Sequence, residues 1–241
     1  MPDQRVHIQS MRFDQVTIKF PDHEPILNRC DFEFPMQEIL WIKSSEGAGK
    51  SSLLQIVAGL ENPNGGRFWI NQLDVTEMSF EEFLPIRLNI GYSFDYGGLI
   101  SNRSLYDNLM LPLVYHHLIP PSEAKSRVLN IFKKFDISKM AQERPAHVPG
   151  RVRKLTCLLR AVVTEPELLL MDDPSVGLGF DTVQIFVDHL SELRQRGSCK
   201  HILISSYDER FIGLLPHRVL SLESQNLFLE NIDATKKVVH L

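Results

Sequence analysis

The segment Lys43-Ser44-Ser45-Glu46-Gly47-Ala48-Gly49-Lys50-Ser51-Ser52 combines glycines, a lysine and a run of hydroxyls. An apolar run, Ile39 to Ile42, enters it, and Leu53 to Ala58 leaves it, so the order reads strand, loop, helix. Such a loop gathers backbone N–H groups around an anion, and the helix N-terminus adds partial positive charge. In the phosphate-binding pattern the lysine reaches the terminal phosphates of a nucleotide and the following hydroxyl binds Mg²⁺; those roles fall to Lys50 and Ser51. The pattern opens with glycine, whereas here that position is Ser44. The plain alternative, a chance glycine-lysine turn between a strand and a helix, is disfavoured by the matching flanks. A second segment, Leu168-Leu169-Leu170-Met171-Asp172-Asp173-Pro174-Ser175, is an apolar strand ending in acid. It places Asp172 at the carboxyl edge of a sheet, where open α/β sheets bind ligands, near a metal held by Ser51. For Asp173 a helix cap is the competing role.

These residues need a scaffold, and the chain is long enough for one large α/β domain or two small ones, at 241 residues. With 43% apolar and 23% charged residues it has the composition of a globular protein, and a net charge of −4 gives no reason to expect nucleic acid. No stretch reaches the length of a membrane span, and Met1 to Arg5 lacks the apolar core of a signal peptide, so any membrane role is expected through a partner. Cys30, Cys157 and Cys199 form no CxxC pair and fit a reducing compartment as ordinary buried or half-buried residues. His116-His117 has no spaced ligand partner for a metal, and Trp41 and Trp69 read as core or edge-of-core residues.

Strands are expected over 12–20, Cys30 to Phe34 and Glu38 to Ile42, as a meander whose last strand feeds the glycine loop, then over Arg67 to Asn71 and Leu88 to Phe94. A helix runs from Lys50 towards Leu60. From about 95 to 160 the pattern turns helical: Ser104 is an N-cap, a second helix spans Glu123 to Phe135, and a third starts near Gly150. Strand Glu167 to Asp172, helix Asp181 to Arg196, strand Lys200 to Ser205 and a hairpin (Arg218 to Leu222, Leu227 to Glu230) complete the chain. The expectation is a single α/β domain over 1–241: a P-loop core with a mostly parallel sheet (about 1–94 and 161–241), an N-terminal antiparallel meander and a helical insertion.

In this order the motifs resemble the nucleotide-binding subunit of an ABC transporter over nearly the whole chain. Ser44 to Ser52, with Gly47, Ala48 and Gly49, is similar to its Walker A loop, and Leu168 to Asp173 to Walker B. Ile90 to Asp95 resembles the Q-loop. Val148-Pro149-Gly150-Arg151 falls where the signature belongs, because Leu159-Arg160-Ala161 fits the ARA that follows it. Ser175 to Gly179 matches the D-loop region, and Ser206-Tyr207-Asp208 the position of the switch histidine. Tyr96 to Leu113 is similar to the segment after the Q-loop in ATPases of the Mla/Mce lipid-transport type. The resemblance implies ATP and Mg²⁺ as ligands, Phe20 stacking on adenine, and Ser51, Asp172 and Asp95 around the metal. It implies a transmembrane permease as partner, a second ATPase subunit (the same or a different chain), and a place on the cytoplasmic face of the inner membrane.

The departures matter as much. The glutamate that follows Walker B is Asp173, the switch histidine is Tyr207, the Q-loop glutamine is Asp95 and the D-loop aspartate is Gly179. Tyrosine, with a reference pKa of about 10, is a poor proton shuttle at neutral pH, and an aspartate one methylene short misplaces water. Pro149 removes a hydroxyl and an N–H, and Arg151 replaces a glycine; Arg151 is either an arginine finger or, with Arg153 and Lys154, part of a solvated basic face. The expectation is Mg·ATP binding with slow or absent hydrolysis in lipid transport. A fully active transporter ATPase, an ATP-gated regulator of a membrane partner, and a nucleotide kinase are the rivals.

Overall fold

A computed structural model describes residues 5–95 and 98–230; Tyr96 and Gly97 of the Mla-like segment, and most of the N-terminal stretch read above, lie outside the described residues. The chain opens with β1 (Met11–Ile18), β2 (Leu27–Glu33) and β3 (Ile39–Lys43), which runs into α1 (Lys50–Val57). Then come β4 (Gly65–Ile70), β5 (Leu73–Asp74), α2 (Phe80–Arg87) and β6 (Ile90–Ser93). Helices α3 (Leu105–Tyr115), α4 (Pro121–Lys134) and α5 (Gly150–Val162) follow. The chain continues through β7 (Leu168–Asp172), α6 (Phe180–Gln195), β8 (His201–Ser205), α7 (Glu209–Gly213), β9 (Arg218–Glu223) and β10 (Asn226–Leu229).

The strands form a six-stranded sheet, ordered β10-β9-β3-β8-β7-β6, and a four-stranded sheet, ordered β2-β1-β4-β5. In the first, β9, β3, β8, β7 and β6 are parallel neighbours, and β10 closes the edge antiparallel to β9. The second is antiparallel throughout. This is the α/β P-loop architecture with an antiparallel N-terminal sheet, and it corrects one detail of the meander. β3 does not pair with β2; it joins the parallel sheet between β8 and β9, which leaves β2 at an edge, and β4 pairs with the other side of β1. The terminal hairpin likewise extends the central sheet through β9.

Alternation explains why the central strands read as unbroken apolar runs. In β3, Ile39 and Trp41 enter one core, shared with α3, α4, α5 and α6, while Leu40 and Ile42 enter the other, shared with α1 and the antiparallel sheet. In β7, Leu169 and Met171 face the helical core and Leu168 and Leu170 the other. A strand buried on both faces has no polar side to show. The helical insertion thus shares one contiguous core with the sheet. Helix α3 starts as expected at Ser104, whose hydroxyl accepts from Asp107 N–H while the Asp107 carboxylate reaches back, closing a capping box. The sequence reading lacks the short α7 and also α2. The signal for α2 was present: Ser79 and Glu82 form another capping box.

Candidate functional site

The glycine loop sits where the reading placed it. Gly47 (φ 74°) and Gly49 (φ 89°) both lie in the left-handed region, which a side chain resists. At Gly49 space also forbids one: a Cβ there would lie 2.3 Å from Ile26 Cδ1. The Ser45 carbonyl closes the loop, accepting from Ala48 N–H (3.3 Å) and from the hydroxyls of Ser44 (3.0 Å) and Tyr207 (3.4 Å). Ser44 therefore stays inside the turn. At the start of α1, Ser51 is exposed and Ser52 buried, so Ser51 is the hydroxyl open to a ligand. Phe20, half exposed, lines a groove of about 890 Å³ together with Gly47, Ala48 and the turn between β9 and β10.

Strand β7 delivers Asp172 to the same edge, two strands from β3 and beside Ser205 of β8. Asp172 is buried and makes no ion pair among the described residues. Asp173 has a positive φ of 41° and is held by backbone on both sides: its N–H donates to Ser205 O at 2.8 Å, and its Oδ1 accepts from Tyr207 N–H at 3.3 Å. Burial, then the neighbouring charge of Asp172, raises the Asp173 pKa; the Tyr207 N–H works against that rise. Tyr207 lies across the lysine, with Lys50 Nζ 3.4 Å from its ring centroid.

Asp95 lies beside a lysine of α5. The Lys154 ammonium, on α5, donates to Asp95 O (2.9 Å), Phe94 O (3.3 Å) and Asp172 O (3.3 Å) and lies 3.5 Å from Asp95 Oδ1. The Asp95 carboxylate thus lies beside a lysine ammonium in a long, partly exposed contact. Of the basic face, Arg151 and Arg153 are exposed, Arg153 with Nη1 donating back to Val148 O at 2.9 Å, whereas the Lys154 side chain is only 10% exposed. Only Arg151 stands free of such duties, exposed in the first turn of α5. Of the signature stretch, Val148 is buried in the helical core and so turned away from any ligand; Pro149 caps α5, and Gly150 opens it.

Among the described residues no three His, Cys, Asp or Glu side chains converge on a metal position. The Ser51 hydroxyl and the unpaired Asp172 carboxylate are hard oxygen donors that suit Mg²⁺, an ion that keeps several waters and shares its shell with phosphate. His116 caps the end of α3 and borders the second groove described next.

That groove, about 600 Å³, lies between α2, β6, α3 and α5. Its walls are apolar, with Phe80 (72% exposed) and Tyr115 (71% exposed) at its rim. Arg87 and Arg160 also line it, as does Tyr92, whose buried hydroxyl has no partner and whose pKa is pushed up by burial and by Asp172. Tyr106, in the segment after the Q-loop, packs against the helical core, and part of the groove comes from the unforeseen α2.

This architecture is that of an ATP-binding cassette. The sequence profile of the ABC transporter family matches residues 27–176, more than half of the chain, and the chain belongs to that family. It is 29% identical over 200 residues to the cell division ATP-binding protein FtsE of Haemophilus influenzae, covering 83% of this chain and 90% of that one. To the lipoprotein-releasing system ATP-binding protein LolD of Coxiella burnetii it is 26% identical over 208 residues, covering 86% and 88%. The methionine import ATP-binding protein MetN of Carboxydothermus hydrogenoformans is 27% identical over 206 residues, which are 86% of this chain. This chain spans about 60% of the length of that importer and 56% of a second MetN, from Acinetobacter baylyi. Among solved structures, the dimeric cassette MJ0796 bound to ADP and Pi superposes with a TM-score of 0.81 at 22% identity, over 92% of this chain and 98% of that one, and shows the same fold. No helix among the described residues is long and apolar enough to cross a membrane.

Proposed function

We propose that this chain is the ATP-binding subunit of a membrane transporter, that it holds Mg·ATP between the glycine loop and Asp172, and that it hydrolyses the nucleotide slowly or not at all. The observation carrying the last point is the arrangement of Asp173 and Tyr207. Asp173 is pinned through Oδ1 to the Tyr207 backbone, and the Tyr207 ring is engaged with Lys50. Neither group is placed as a free general base at a water beside the phosphate. Phe20 stacks on the base, the N–H groups of Gly47 to Ser51 bind phosphate oxygens, and Lys50 neutralises their charge. Mg²⁺, held by Ser51 and Asp172, would supply charge neutralisation between the outer phosphates. Steady-state phosphate release from the assembled complex is the test. Slow release, unchanged by Asp173→Asn, is expected. Turnover of many per second that Asp173→Asn abolishes refutes slow hydrolysis.

The apolar groove rimmed by Phe80 and Tyr115 supports docking of a permease segment, which would place the subunit on the cytoplasmic face of a membrane through its partner. Pairing with a second ATPase subunit of different sequence would leave one composite site with an intact signature, whereas self-pairing impairs both; native mass measurement decides. A lipid cargo of the Mla/Mce kind rests on the resemblance of 96–113 and is supported by similarity to a lipoprotein-releasing relative. Lipid extraction by the reconstituted complex tests that cargo; transport of methionine in its place would refute it.

A further inference from the structure

The Tyr207 side chain makes two contacts that a nucleotide must disturb. Its ring faces the Lys50 ammonium at 3.4 Å, and its hydroxyl donates to the Ser45 carbonyl at 3.4 Å, so it spans the mouth of the loop. Lys50 is only 5% exposed, yet Tyr207 itself is 51% exposed, so its outer side faces solvent. The backbone around it is anchored. Trp41 Nε1 donates to Ser206 O at 2.9 Å, Ser175 Oγ donates to the Asp208 carboxylate at 2.9 Å, and Asp208 caps α7. A fixed backbone carrying a half-exposed ring allows that ring to leave by side-chain rotation, with no loop displacement.

We infer that Tyr207 is a latch on Lys50: its ring and the terminal phosphates of a nucleotide compete for one ammonium, and a nucleotide binds by swinging the ring out. This inference rests on the nucleotide-binding reading above. A cation–π contact of this kind is screened little when one side is protein, and losing it corresponds to about a 3- to 30-fold change in an equilibrium. The penalty falls only on ligands that recruit Lys50. ATP and ADP carry the outer phosphates that the lysine reaches, and AMP does not. Competition of this kind narrows the affinity gap between ATP and AMP, since only a ligand that recruits Lys50 has to open the latch.

The test uses the full chain and two measurements. In the first, lysine acetylation is followed by mass spectrometry, with exposed Lys125 as the internal reference. Tyr207→Ala is expected to raise the labelling rate of Lys50 about 3- to 30-fold, and Tyr207→Phe, which keeps the ring, to stay within about twofold of the parent chain. An unchanged Lys50 rate in Tyr207→Ala overturns the latch. In the second, titration calorimetry with Mg·ATP should show tighter binding to Tyr207→Ala by a similar factor, with AMP binding unaltered. Weaker ATP binding overturns the latch, because the ring would then be holding nucleotide. If neither the parent chain nor Tyr207→Ala binds ATP, the nucleotide-binding reading fails, and the labelling result alone decides whether the ring covers Lys50.

Discussion

Replacing Lys154 with methionine separates two accounts of the basic stretch at the start of α5. If Lys154 belonged to a solvated face, the change would cost under about 0.5 kcal/mol, as surface substitutions do. The structure demands more. The Lys154 side chain is 10% exposed, and its ammonium serves three main-chain carbonyls, one at 2.9 Å and two at 3.3 Å. Hydrogen bonds to a charged group contribute about 1.5–3 kcal/mol each at good geometry, and stranded buried acceptors add to the loss. With one good bond and two long ones, Lys154→Met should destabilise by about 2–4 kcal/mol. For a domain of this size that lowers Tm by about 4–16 °C. The Asp95 carboxylate, 27% exposed and 3.5 Å away, contributes little of this, because a partly exposed pair is worth about 0–1 kcal/mol. Asp95→Asn should therefore cost under about 1 kcal/mol, and a double-mutant cycle should show weak coupling. Urea unfolding followed by circular dichroism measures all three. A Lys154→Met loss below about 1 kcal/mol, or a coupling that accounts for most of the loss, refutes the assignment of Lys154 to the backbone.

Gly49→Ala should destabilise by about 1–3 kcal/mol and weaken ATP binding; Ile26→Ala in the same chain relieves the 2.3 Å clash but not the positive φ, so thermal melts should show only partial recovery. Acid stability should fall in two windows. His189 is held down to about 4 by burial and by Lys134, so stability drops as pH falls from 6.5 towards 4, where the unfolded chain gains a proton the fold refuses. Burial alone would raise Glu167, but Lys200, the Ile8 N–H and His7 outweigh it and hold it at about 2, so further stability is lost from pH 4.5 downwards. Each window is worth about 1–2 kcal/mol after solvent screening, and His189→Leu and Glu167→Gln should each flatten its own limb of the urea midpoint against pH. Phe80→Glu or Tyr115→Glu should release a co-purifying membrane partner with Tm unchanged within about 2 °C, because both side chains are over two-thirds exposed; intact co-purification counts against the groove as the docking site.

What could be read from the sequence was local. The glycine loop, the acid at the end of β7 and the Ser104 cap each declare themselves within a few residues, because the physics that makes them is short-range. Strand partnership is not short-range. β2 and β3 are adjacent in sequence, yet β3 finds β8 and β9, more than 150 residues later, and no periodicity within 39–43 encodes that choice. Helix α2 was legible through Ser79 and Glu82 and was missed because Pro85 and a weak apolar face masked it. Lys154 was legible too. Val152, Leu155, Thr156, Cys157, Leu158 and Leu159 are all buried, and a helix apolar on so much of its surface leaves an interior lysine little water to face. The groove was not legible, since its two walls lie far apart in the chain.

Charge allocation links these observations. Three carboxylates, Asp95, Asp172 and Asp173, gather at the carboxyl edge of the sheet; burial first, then the charges of Asp172 and Asp95, raise the pKa of Asp173. Two lysines answer them, and both are committed. Lys154 is spent on backbone carbonyls and Asp95, and Lys50 is covered by an aromatic ring. Asp172 is left as the one buried carboxylate of the three with neither a cation nor a hydrogen-bond donor at its side chain among the described residues. On the proposed reading, a triphosphate alone would add negative charge to that edge, and a divalent cation brought with it would offset that charge beside Asp172. Magnesium and nucleotide would then enter together, and the phosphates would displace the Tyr207 ring from Lys50.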